Sequence, residues 1–405
     1  MNIDRRTLLG STAAAATLVG VRPGRAQSKV VKLGVLNDQS GPYRDIGGMN
    51  SVAAVRQAVA EFKPDFKVEV VFADHQNKPD VGVGIARQWF DRDGVDIILD
   101  VPTSSVALAV NSVCKEKNKV YINTGAATSD LTGTACTPVT IHWSYDTYML
   151  AKSTGGATVK AGGDKWYFIT ADYVFGQQLQ RDTSGFVTAA GGKVLGASPY
   201  PFPGTTDFSS FLISAQSSGA NVLGLANAGA DTVNCIKQAA EFGLTQKMKV
   251  AALLMYISDV HGLGLEAAQN LVLTESFYWD MNDKTRDFTA RFQKFMPNVC
   301  PNMNNAGAYS GALQFLKAVK GLGVEHADDG ASVVAKMKSF DAVDDAYGTT
   351  KIREDGMALT PSYLFQVKTP AESKKPWDYY KMLVETPPSE AWKPLSAGGC
   401  PLVKA

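Results

Sequence analysis

The feature that most constrains this chain is the order of its hydrophobic segments. Short β-branched runs alternate with longer amphipathic stretches from residue 30 to residue 254. The first series has strand-like runs at 30–37 (VVKLGVLN), 68–72, 96–101 and 120–123. Helix-like stretches at 47–62, 81–90 and 105–116 lie between them. Strands covered on both faces read as near-continuous Val, Ile and Leu, and a strand–helix–strand order brings each strand back parallel to the last. A parallel sheet with helices on both faces is therefore expected.

A second series begins near Tyr145, with helices at 145–160, 176–190, 208–217 and 231–242 and strands at 165–170, 193–195, 221–225 and 249–254. No Gly/Ser linker or composition break separates the two series. Together they predict two doubly wound α/β lobes, tightly coupled. Length agrees, since 405 residues suit two domains better than one. Beyond Leu271 the pattern changes to a strand at 271–274, the aromatic cluster Phe277-Tyr278-Trp279, helices at 286–295 and 308–320, and a strand at 363–367. The remainder reads as Pro-rich and irregular.

The N-terminus sets the expected compartment. Arg5-Arg6 precede a weakly apolar stretch from Leu8 to Val21, which ends in small residues at Gly24 and Ala26. This has the form of a twin-arginine-like signal peptide over 1–26, cut after Ala26. The apolar run is too short and too polar for a bilayer span, which takes about 20 residues. The mature chain is expected to be soluble and periplasmic. No cysteine stands at the cut, so no lipid anchor is expected.

Charge and motif content exclude several classes. Lys+Arg number 40 against 39 Asp+Glu, without basic blocks, so a nucleic-acid partner is not expected. The four histidines and five cysteines are scattered without metal-ligand spacing. Ser112-Val113-Cys114-Lys115 fits S-x-x-K but falls late in a helix, where a nucleophile would not face a cleft. Gly82-x-Gly84 lacks the third glycine of a dinucleotide fingerprint. No cofactor and no catalysis are expected.

The turns that follow the strands are more informative. In open α/β sheets ligands bind beyond the carboxyl ends of the strands. Asp38–Tyr43, Pro102–Ser105 and Thr124–Ser129 form three small-polar turns at strand ends of the first series. Hydroxyls and free backbone N–H groups at a helix start can hold an anion without an arginine. The plainer role of such Ser and Thr residues is capping. In the second series the corresponding turns are 171–176, 226–229 and 255–259, where Tyr173, Phe175 and Met255 can wall an apolar ligand or pack the lobe.

The stretches VVKLGVLNDQSGPYRDIGG (30–48), VPTSS (101–105), VYINTGAATSDLTG (120–133), ADYVFG (171–176), DFSSFL (207–212) and IKQAAEFGL (236–244) resemble the periplasmic leucine/isoleucine/valine-binding family of ABC transporters. Their order and spacing cover essentially the whole mature chain. The resemblance implies a type I periplasmic-binding-protein fold with a three-crossover hinge. It implies one lobe over 28–146 plus 276–355 and another over 147–275 plus 356–405. The implied ligand contacts are Thr103, Ser104, Gly125, Ala126, Ala127, Thr128, Phe175 and Ala228. The family's aromatic after its S-G-P motif is replaced by Ile46, with Tyr43 nearby.

In amino-acid-binding members an acid of the second lobe holds the ligand ammonium. Leu253-Leu254-Met255 supplies none there, so either Asp259 or Asp172 substitutes or the ligand has no amino group. Aromatic-acid binders of the family are the second option, favoured by Tyr173, Tyr256 and the 277–279 cluster. The implied function is capture of a small carboxylate, an amino acid or an aromatic acid, for an ABC importer, with the membrane permease as partner. A periplasmic sensor for a receptor and an amidase-like enzyme are the alternatives. Cys136 and Cys400, both in irregular Pro-adjacent segments, are expected to pair, because the tail can return to the hinge side of the first lobe.

Overall fold

A computed structural model describes residues 29–403, so the signal peptide expected over 1–26 lies outside the described residues. The first series folds into five parallel strands: β1 (Val31–Asn37), β2 (Val68–Asp74), β3 (Ile97–Asp100), β4 (Val120–Asn123) and β5 (Thr140–His142). Their spatial order is β2-β1-β3-β4-β5, with Leu33 opposite Ile97, Ile97 opposite Val120 and Tyr121 opposite Thr140. The last strand carries only Thr-Ile-His, and its two polar residues hid it in the sequence.

The second series builds β6 (Lys165–Ala171), β7 (Lys193–Tyr200), β8 (Val222–Ala226), β9 (Lys249–Ala252) and β10 (Val272–Glu275), all parallel. A small antiparallel unit of β11 (Ala342–Asp344), β12 (Gly348–Ile352) and β13 (Ala358–Leu359) follows. Two antiparallel strands, β14 (Ser362–Val367) and β15 (Tyr380–Thr386), then complete the second sheet in the order β15-β14-β10-β9-β8-β6-β7. Residues 380–386 had read as irregular. Apart from the buried Tyr380, this edge strand leaves Lys381 to Glu385 exposed, so it shows no alternation.

Both sheets are covered as the hydrophobic pattern requires. Val31, Leu33 and Val35 of β1, Ile97 of β3 and Ile122 of β4 are fully buried under the helices Gly48–Phe62 and Met303–Leu322. The 20-residue Met303–Leu322 helix is buried on nearly all sides. Its small residues let it lie close to the sheet: a Cβ at Gly311 would stand 2.7 Å from Ile122 Cγ2. The opposite face of the first sheet packs Leu36, Ile98 and Tyr121 against Ala86, Val106, Val110 and Val113.

The chain passes between the sheets at 143–147, at 275–277 and at 360–361, making the three crossovers. The last return falls later than the expected boundary at 356, because Met357 still bridges to His142 beside β5. Nor does all of 356–405 stay with the second sheet. After β15 the tail turns back, Trp392 Nε1 donates to Thr360 O at 2.8 Å, and Cys400 is disulfide-bonded to Cys136 with Cα atoms 5.6 Å apart. Cys114, Cys235 and Cys300 are buried free thiols. No helix of the described residues is long and apolar enough to cross a membrane.

Candidate functional site

The carboxyl ends of the two sheets face each other, and the turns that leave them line one cleft. Tyr43 and Ile46 follow β1, Pro102 follows β3, and Gly125 and Ala127 follow β4. From the other side come Tyr173 and Phe175 after β6, Ala228 after β8, and Leu254 and Tyr256 after β9. This is where doubly wound sheets place ligands. The two walls meet closely and leave a cavity of only about 10 Å3 between them, about the room of one water.

Two pairs of tyrosines span the cleft. Tyr43 Oη and Tyr173 Oη lie 2.6 Å apart, and Phe202 stacks on both rings, with centroids at 5.3 and 4.5 Å. Tyr256 donates its hydroxyl to Tyr145, which donates to the Gly125 carbonyl. Burial raises the pKa of all four phenols, so each stays a neutral donor. Gly125 is a glycine for a steric reason: a Cβ there would stand 2.6 Å from Asp100 Oδ1 and 2.7 Å from Pro102 Cα.

The turn behind Pro102 is strained. Asp100 and Val101 have φ of +80° and +59°, and neither is glycine. Such geometry costs about 1–3 kcal/mol per residue and persists where the surroundings enforce it. Here Asn37 Nδ2 donates to Asp100 Oδ2 at 2.9 Å, Thr124 donates to Oδ1 at 3.2 Å, and Val101 N donates to Leu36 O at 3.0 Å. The strained turn aims the start of the 14-residue helix Ser104–Lys117. Ser104 is fully buried there, and its hydroxyl has no hydrogen-bond partner. An unpaired buried hydroxyl costs about 1–3 kcal/mol, so this one is a standing donor two residues from the cleft wall.

Of the residues singled out in the sequence, Tyr43, Ile46, Gly125, Tyr173, Phe175 and Ala228 come together on the cleft wall. Others do not. Thr103 gives its hydroxyl to Asn77 Oδ1, and Thr128 accepts from Asp130 N at 3.3 Å as the cap of the short helix Ser129–Thr132. Ala126 faces the outer core with Val101, Val106 and Leu131. Met255 packs inside the second lobe with Leu225 and Ile257.

Asp259 is not on the wall: its carboxylate accepts from Tyr256 N at 3.0 Å and caps the helix Ile257–Leu263. Burial pushes it up to about 7 against that hydrogen bond. Asp172 is exposed and accepts from Gln177. Neither acid faces the cleft, and among the described residues no Asp, Glu, Lys or Arg lines it. Ala127, within the implied contacts, and Tyr256, named for an aromatic ligand, also line the wall, whereas Pro102 and Leu254 were missed as wall residues. Leu254 and Tyr256 both follow β9, which ends at Ala252 rather than at 254.

Ser112, the would-be nucleophile, sits mid-helix and donates to Leu108 O at 3.2 Å. Glu275, at the end of β10, accepts from Ile257 N at 3.0 Å, Tyr380 Oη at 2.8 Å and Met303 N at 3.2 Å. Burial pushes it up to about 8. It ties the second lobe to the start of a first-lobe helix at the crossover and does not reach the cleft wall.

Comparison with known proteins gives the same architecture. The family model of periplasmic binding proteins matches residues 30–375. A periplasmic binding protein from Burkholderia mallei is 47% identical, with 93% of this chain and 99% of that chain covered and a TM-score of 0.88. A branched chain amino acid ABC transporter periplasmic ligand-binding protein from Burkholderia xenovorans LB400 is 37% identical over 92% and 99% of the two chains, with a TM-score of 0.79. A solute binding protein from Rhodopseudomonas palustris, solved in complex with 4-hydroxybenzoate, shares the fold at 21% identity and TM-score 0.80, covering 90% and 99%. With two doubly wound lobes, three crossovers and a cleft between the strand ends, the chain belongs to the periplasmic binding protein family and has its type I fold.

Proposed function

We propose that this protein is the periplasmic solute-binding subunit of an ABC importer of the branched-chain-amino-acid type, and that its ligand is a small aromatic carboxylate without an amino group. The observation that carries the ligand class is the wall of the cleft. It is built from three tyrosines, Phe175 and aliphatic groups, and no acid is turned into it. A buried ammonium without its carboxylate costs roughly 3–5 kcal/mol, or two to three decades of affinity. With the lobes parted to admit it, an aromatic ring would pack against Tyr173, Phe175 and Tyr256. Its carboxylate is met by the Ser104 hydroxyl and the start of the Ser104–Lys117 helix, where the helix dipole favours negative charge.

The two lobes close on the ligand by touching it from both sides, and the complex is delivered to a membrane permease. The protein acts as a binder, not an enzyme, and residues 1–26 are its export signal. The test is calorimetry with benzoate, 4-hydroxybenzoate, 4-hydroxybenzamide and leucine. The aromatic acids should bind at least a hundredfold more tightly than leucine and more tightly than the amide. Leucine binding as tightly as the acids overturns the ligand class. An amide binding as tightly as its acid removes the carboxylate site.

A further inference from the structure

The S-G-P loop of the first lobe lines up with a glycine of the second in a way that ligand contact does not explain. Asp38 cages that loop: its carboxylate accepts from Gly41 N at 2.7 Å, Tyr43 N at 2.8 Å and Asn77 Nδ2 at 2.8 Å. The cage fixes Pro42, which has no N–H and presents only its carbonyl. Across the cleft the 12-residue helix Ala230–Glu241 begins after Gly229, and no side chain caps it. Its first N–H, from Ala230, donates to Pro42 O at 3.0 Å, a backbone bond from one lobe to the other.

Gly229 has φ +60°, and a Cβ added there would stand under 3.0 Å from Pro42 O, 3.1 Å from Ile46 Cδ1 and 3.2 Å from Tyr43 Cδ1. All three neighbours belong to the opposite lobe. The Cβ would therefore meet the first lobe before anything else and obstruct its approach.

We propose that the Pro42 carbonyl docked on the uncapped helix start at Gly229–Ala230 is the latch of the closed state, and that Gly229 sets ligand affinity through closure rather than contact. The ligand side of this inference rests on the cleft reading above, whereas the latch itself rests on the cross-lobe geometry. An orphan helix N–H is satisfied by water when the lobes part and by Pro42 when they meet. The latch thus discriminates between the two states, as any group that shifts such an equilibrium must.

The test uses Gly229→Ala and a control, Gly264→Ala. Gly264 has φ +83° and ψ 149° in the same lobe, a conformation outside the left-handed helical region as is the φ +60°, ψ −135° of Gly229, with nothing within 4 Å of an added Cβ, so the control carries comparable backbone strain without the cross-lobe clash. Spin labels at Asp80→Cys and Ser210→Cys, exposed positions of the two lobes, report the interlobe distance by pulsed electron resonance. Distances are measured without ligand and with 4-hydroxybenzoate.

Wild type and Gly264→Ala should populate the short distance in at least one condition. Gly229→Ala should be depleted at least tenfold there, with a tenfold or greater loss of calorimetric affinity. A Gly229→Ala protein that closes as fully as wild type, or a control that opens equally, overturns the latch. So does a wild type that stays at the long distance in both conditions. A wild type that closes but binds none of the probes refutes the ligand reading, and the latch is then decided by the Gly229→Ala distances alone.

Discussion

Ser104→Ala separates a binding hydroxyl from a capping one, because the two roles give opposite signs for stability. Ser104 is the first residue of its helix, not the cap, which is Thr103. Its hydroxyl is buried and makes no hydrogen bond within the protein. Removing it deletes an uncompensated polar group whose burial costs about 1–3 kcal/mol. The ligand-free protein should melt at the same or a higher temperature. A hydrogen bond to a charged carboxylate is worth about 1.5–3 kcal/mol, which is about a tenfold to a hundredfold loss in affinity for 4-hydroxybenzoate.

Thr128→Ala behaves in the reverse way. Its hydroxyl accepts from Asp130 N, so its loss should lower stability by about 1 kcal/mol and change affinity little. Scanning calorimetry gives the melting temperatures, and titration calorimetry with the acid and its amide gives the affinities. If Ser104→Ala melts lower and binds the acid as wild type does, the hydroxyl is structural and the carboxylate assignment fails.

Two further outcomes follow from the structure. The Cys136–Cys400 disulfide closes a sequence separation of 264 residues, and Cys400→Ser should cost about 2–4 kcal/mol of stability; an unchanged melting temperature after the substitution or after reduction contradicts this. Glu275 and Asp259 are held protonated to about pH 8 and 7 by burial. The folded state therefore keeps protons that the unfolded state has released, and their contribution to stability falls as pH rises from the ordinary carboxylate range to about 8. Melting temperatures of wild type minus Glu275→Gln across pH 4 to 9, the span set by those values, should decline with pH, and a flat difference would refute the assignment.

The order of strands and helices was legible because the central parallel strands β1, β3, β4 and β8 are buried on both faces and most helices on one, which leaves period and hydrophobicity in the sequence. For the same reason the strand ends, and so the turns around Tyr43, Gly125 and Phe175, were found. The edges were not legible: β5 is three residues long and β15 is exposed, so neither carries a pattern that burial would impose.

The roles of hydroxyls and acids were also beyond the sequence. Thr103, Ser104 and Thr128 look alike as small polar residues at strand ends. What separates them is whether a neighbour such as Asn77 or Asp130 has already taken the hydroxyl. Asp259 lies close enough in sequence to serve the cleft, yet its carboxylate folds back onto the Tyr256 backbone. Burial and periodicity are properties of one segment at a time and survive in the amino-acid order. Hydrogen-bond partners and the meeting of Pro42 with Gly229 join residues far apart in the chain, and only the packed tertiary structure decides them.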